Sequence, residues 1–151
     1  MPPHHLRRGH FFVQKMGSTT VIVFRPISGN PFFAGKEQEL FIKRVIGVAG
    51  DHISLVGGMV VRNGSAINEN YVKHDRRREP QPETWPTRNG QDTFGQAIVP
   101  ERMVFVLGDH RDGSFDSRMW GFLPVENVVG TVLFRIPFPR KDGSCSMQKG
   151  D

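Results

Sequence analysis

Residues 108–121, "GDHRDGSFDSRMWG", bring three aspartates, two arginines, two serines and a histidine into one short run closed by glycines. Three kinds of chemistry compete for such a cluster. Asp109, His110 and Asp112 are of the types that hold a cation, but Arg111 and Arg118 carry charge that opposes one. A second reading is a turn that pairs its own charges, and exposed pairs of that kind contribute only about 0–1 kcal/mol each. In the third, glycines allow tight turns, carboxylates hold the arginines in place, and a serine is presented to a reactive group.

A lysine elsewhere favours the third. Lys43 lies in "ELFIKRVIGVAGD", among Leu40, Phe41, Ile42, Val45 and Ile46, a setting in which lysine is seldom found without cause. Strand alternation sends Lys43 and Arg44 to opposite faces, so one of them points inward or into an apolar cleft. An ammonium there loses hydration, which lowers its pKa, and a neutral lysine is a competent general base for a serine hydroxyl. The alternative is a lysine whose stem lies along apolar surface while its head reaches water.

The segments that must position these groups read as strands. Residues 19–24 and 41–50 are rich in β-branched side chains, the latter ending in a glycine before Asp51. "HISLV" and "MVVRN" flank Gly57 and Gly58, which suit a tight hairpin, and Asn63-Gly64 marks a second turn. Residues 103–108 and 127–136 complete the set, and amphipathic helical stretches of ten or more residues are absent. The expected fold is a mostly antiparallel β domain. Residues 75–96 are polar and broken by Pro80, Pro82 and Pro86, which suggests an exposed loop or flap. Residues 26–39 form a second loop with Phe32 and Phe33 as anchors.

Composition sets the outer bounds. A chain of 151 residues suits one domain with a core. It has no apolar run of the ~20 residues that span a bilayer, and its first residues lack the features of a secretory signal. The single cysteine, Cys145, cannot form an internal disulfide. The net charge of +5 is modest, and its local excess at residues 73–79 lacks the spaced aromatics of a nucleic-acid surface. That run reads as a solvated loop, with contact to anionic headgroups as the sharper reading.

Taken together, "FIKRVIGVAGD" and "GDHRDGSFDSRMWGFLP" resemble the lysine box and the final box of the type I signal peptidases, membrane-bound serine peptidases with a Ser-Lys dyad. "GGMVVRNGSAINENYV", "AIVPERMVFVLGD" and "PVENVVGTVLFRI" are similar to the segments that join and flank those boxes, so the resemblance covers roughly residues 17–136. It implies a signal-peptidase-like β fold and removal of signal peptides from exported preproteins. It makes Lys43 the general base and Ser114 the hydroxyl that orients it, with Asp109 paired to Arg44 and Asp116 to Arg118. His110 stands where the family usually has asparagine. No cofactor or metal is implied. The implied partners are preproteins and the membrane surface, not nucleic acid, with the catalytic domain on the extracytoplasmic side.

The nucleophile is the departure. The family pattern places that serine directly before Met1, and neither Ser18 nor Ser28 has its flanking residues. The expected organisation is therefore an N-terminal remnant at 1–16, a catalytic domain at 17–136 with the flap at 75–96, and a polar tail at 137–151. On that reading the chain lacks its nucleophile, part of the oxyanion hole and a membrane anchor, and is inert as printed. The alternatives are an inactive peptide-binding module of the same fold and a self-cleaving repressor-type peptidase domain.

Overall fold

The computed structural model describes residues 19–56, 59–73 and 96–133. The expected remnant at 1–16, most of the flap at 75–96, the tail at 137–151, Ser18 and Cys145 lie outside these residues. Nine strands are described: β1 Val21–Phe24, β2 Phe41–Val48, β3 His52–Val56, β4 Met59–Arg62, β5 Ser65–Ala66, β6 Ala97–Ile98, β7 Met103–Leu107, β8 Leu123–Pro124 and β9 Val128–Thr131. They form a five-stranded sheet in the order β8-β7-β2-β1-β9 and a four-stranded sheet in the order β5-β4-β3-β6. All the pairings between these strands are antiparallel, and an isolated bridge between Lys73 and His110 is parallel. The mostly antiparallel β expectation is therefore the fold found.

Local sequence explains most of these elements. In β1, Ile22 and Phe24 are fully buried while Val21 and Val23 are half-buried, the alternation of a strand with one face on a core. Arg62 pairs with Ser65 across Asn63 and Gly64, both at positive φ (52° and 80°), which is the type I′ geometry that Asn-Gly favours. Val56 lies opposite Met59, which is the pairing expected of the hairpin, and Gly57 and Gly58 lie outside the described residues. The strand expected over 127–136 is described as β9 only at Val128–Thr131, after a 3₁₀ turn at Val125–Asn127.

Two apolar clusters divide between the faces of the larger sheet. One gathers Ile22, Phe24, Val45, Val104 and Val106 beneath Phe33, Trp120 and Leu123. The other, built from Ile46, Phe105 and Leu107 with Ile53, Val60 and Val99, joins the two sheets. The register between β2 and β7 shifts between Val45 and Gly47, so the bulge leaves Gly47 on the same face as Ile46, toward the second core. Of the two expected anchors in the loop after β1, Phe33 is 2% exposed and Phe32 is 45% exposed. Only the first is a core residue, packed on Phe41 and Trp120 with ring centroids 5.3 and 5.4 Å away.

Candidate active site

Lys43 is the third residue of β2, the central strand of its sheet. It lies opposite Ile22 of β1. Alternation along β2 puts Lys43 on the face that carries Phe41 and Val45, at the margin of the first core. Arg44 takes the other face, opposite Leu107 and over the ring of Tyr71, 4.0 Å from its centroid. The two faces are as strand alternation predicts. Burial lowers the Lys43 pKa below the usual lysine range; Asp116 acts to raise it and Arg118 to lower it further. Desolvation is the largest of these causes, and the two nearby charges oppose each other.

Ser114 reaches the same place by an indirect route. The ladder between β2 and β7 pairs Val45 with Val106 and ends at Arg44 and Leu107; continued one step beyond that end, the same register would bring Gly108 opposite Lys43. Directly opposed residues of an antiparallel pair share a face, so a side chain at 108 would stand beside the lysine. Gly108 has none. A Cβ built there would lie 2.0 Å from Ser114 Oγ and 2.4 Å from Ser114 Cβ. The serine thus occupies the space that a cross-strand neighbour of Lys43 would fill, and only glycine at 108 permits it. The expected hydrogen bond between Ser114 and Lys43 is not formed, however: Ser114 Oγ is buried with no partner among the described residues. A buried hydroxyl left unpaired is unfavourable.

The two ion pairs expected around this loop are both present. Arg44 Nε and Nη2 donate to Asp109 Oδ1 and Oδ2 at 2.7 Å each, and Arg44 Nη1 donates to the Thr19 carbonyl. Both Asp109 oxygens are thereby engaged by an arginine. Asp116, fully buried, accepts from Arg118 Nε at 2.8 Å and Nη2 at 3.0 Å, from the Arg118 backbone N–H, and from the Gly108 N–H at 2.9 Å. It also caps the helical turn Ser117–Trp120. Arg118 Nη2 reaches on to the Arg111 carbonyl at 2.6 Å. His110 is exposed, with its ring beside Gly113, so the position that departs from the family pattern faces solvent.

Sequence reasoning missed a third group of contacts. Arg111, counted there only as a charge hostile to cations, is 5% exposed and forms a two-pronged pair with Glu69. Its Nε donates to the Gly108 carbonyl at 3.1 Å. Tyr71 donates its hydroxyl to the same Glu69 at 3.1 Å, and burial and that carboxylate push its pKa up to about 12. Ser117 Oγ accepts from Val106 N–H at 2.9 Å, tying the helical turn to β7. Nothing in "NENYV" signals a partner for Arg111, because the pair is made across 42 positions of sequence.

The described residues therefore include a half-buried lysine on β2 and a buried serine hydroxyl on a loop braced by three arginines, in a domain of antiparallel sheets. The chain matches the family described as "Signal peptidase, peptidase S26" over residues 5–137, and it belongs to that family. It is 34% identical over 126 residues to the signal peptidase I of Leptolyngbya laminosa, covering 83% of this chain and 54% of that protein. To the probable signal peptidase I-1 of Synechocystis sp. it is 35% identical over 130 residues, 86% of this chain and 58% of the other. The solved signal peptidase I of Enterococcus faecalis V583 matches with a TM-score of 0.56 and 27% identity, over 80% of this chain and 98% of that one. The chain spans a little over half the length of these two curated relatives.

Proposed function

We propose that this chain carries the general-base side of a Ser-Lys endopeptidase that removes signal peptides from exported preproteins. The observation that carries the reading is the half-buried Lys43 on β2, next to the end of the β2–β7 ladder, beyond which the Ser114 side chain fills the space over Gly108. Neutral Lys43 takes the proton of a nucleophilic serine that lies outside the described residues, and the alkoxide attacks the scissile carbonyl. The lysine then passes that proton to the leaving amine, and water hydrolyses the resulting ester. Ser114 holds the amine in the productive rotamer. Asp109 with Arg44, and Asp116 with Arg118, keep the strand and the loop in register so that the two groups meet.

The substrate has a place to lie. No strand among the described residues pairs with Phe41, Ile42 or Lys43 on the β7 side, because that ladder begins at Arg44 and Leu107. Ile42 there is 59% exposed and Leu40 57%. An extended peptide can add to this open backbone, with shallow apolar sites for the small side chains that precede a signal-peptide cut. Such substrates are membrane-borne, so contact with a membrane on its extracytoplasmic side belongs to the same proposal. Among the described residues no helix is long and apolar enough to cross a bilayer.

The test uses the natural full-length protein and a preprotein with alanine one and three positions before the cut. Cleavage at that point, read by sequencing the new amino terminus, should be lost in Lys43→Ala while thermal melting stays close to that of the unaltered protein. Turnover retained without Lys43 would reject its role as base. Binding of the peptide without cleavage by the unaltered protein would point instead to a peptide-binding module.

A further inference from the structure

We infer that Glu69, together with Tyr71, is a positioning residue that sets the height of Gly108, and so of Ser114, against Lys43. The inference rests on the peptidase reading above and adds a part to that site. Glu69 touches neither group. Its carboxylate, 11% exposed, takes both prongs of Arg111, whose side chain is 4% exposed. Arg111 in turn holds the Gly108 carbonyl through its Nε at 3.1 Å. From the other side of Glu69, the Tyr71 hydroxyl donates to Oε1, and the Tyr71 ring lies 4.0 Å from the Arg44 guanidinium carbon. Arg44 grips Asp109, the residue after Gly108.

These contacts close a ring that begins and ends on the peptide joining Gly108 to Asp109. One arm comes from β2, through the residue next to Lys43. The other comes from the segment 67–71, which the second sheet anchors: Ile67 N–H donates to the Val60 carbonyl at 3.0 Å, and Ile67 and Tyr71 pack on the core between the sheets. The opposite side of the same loop already has its own brace in Asp116 and Arg118. What Glu69 adds is the pull on the Gly108 carbonyl. Because the Ser114 side chain sits directly on Gly108, movement of that peptide moves the hydroxyl and, on the peptidase reading, uncovers the lysine. Among the described residues the charges that act on Lys43 are those of Asp116 and Arg118, so an effect of Glu69 on the lysine must pass through geometry.

The experiment follows Lys43 itself, by competitive acetylation across a pH series with mass-spectrometric readout, in the protein and in Glu69→Gln and Tyr71→Phe. Melting curves fix a temperature at which each is folded. The single tyrosine reports by absorbance: in Glu69→Gln it should ionise at lower pH than in the unaltered protein, which shows the contact is broken. Water admitted to the amine moves its titration up toward ordinary lysine, so Lys43 in Glu69→Gln should label about threefold or more slowly at pH 8. A lowered melting temperature with an unchanged Lys43 profile would make Glu69 a structural brace only and overturn the inference. Should Glu69→Gln fail to fold, Tyr71→Phe keeps the ring under Arg44 while releasing Oε1; it must slow the labelling in the same direction, and an unchanged profile there is equally fatal. If Lys43 of the unaltered protein labels as an ordinary surface lysine, the general-base reading falls, and the inference with it.

Discussion

At the scale of single residues, the decisive quantity is the protonation of one amine. Burial holds the Lys43 pKa below its usual value of 10.5 in the folded chain, whereas the unfolded chain exposes an ordinary lysine. Between those two values the unfolded state binds more protons, so stability rises with pH. The contribution is complete above the unfolded value and is lost as pH falls through the folded one. Lys43→Met removes it. The stability of the unaltered protein minus that of the variant should therefore increase from about pH 7 to about pH 10, read by urea unfolding; a flat or falling difference would mean the amine is solvated. The position of Lys43 in an apolar strand was legible from its neighbours, as were the charges of the loop. The role of Gly108 was not, because it lies in what the glycine lacks.

At the scale of elements, the loop from Gly108 to the helical turn is held by charges whose worth depends on burial. Asp116 is fully buried and is shared between Arg118 and the Gly108 N–H. Asp116→Ala strands a partly buried guanidinium and an amide, and should cost about 3–5 kcal/mol. The Arg102–Glu126 pair, 63% and 71% exposed, makes the contrasting case, and Glu126→Gln should change stability by less than about 1 kcal/mol. Denaturant midpoints of the two variants check the contrast, and equal effects would remove the argument that burial makes this brace. The pairings of Asp109 with Arg44 and of Asp116 with Arg118 were legible through the family resemblance. That of Glu69 with Arg111 was not, since neither residue stands in a pattern that names the other. Strands β6 and β8, two residues each, are too short to leave a periodic signal.

At the scale of the whole molecule, the site depends on how closely the two sheets approach. Gly47 marks that approach: a Cβ there would stand 2.7 Å from Ile53 Cδ1, 2.9 Å from its Cγ1 and 3.2 Å from Val99 Cγ2. Gly47→Val overfills this contact and should cost about 1–3 kcal/mol, visible as a lower denaturant midpoint. It should also disturb the segment 67–71, which packs on the same core and carries Glu69. An unchanged midpoint would show that the sheets have slack at this point.

By itself the amino-acid order determined the class of fold, the tight turn at Asn63-Gly64, and the two segments that carry the chemistry, because β-branched alternation and glycine turns act over a few residues. Tertiary structure alone decided that β2 is the central strand, that its ladder with β7 stops at Arg44, and that the Ser114 side chain fills the empty place above Gly108. It also decided that Ser114 Oγ is left without a partner and that Glu69 reaches the loop from the second sheet. Strand order, register and the burial of a charge depend on segments far apart in sequence, and their free energies come into being only when those segments pack.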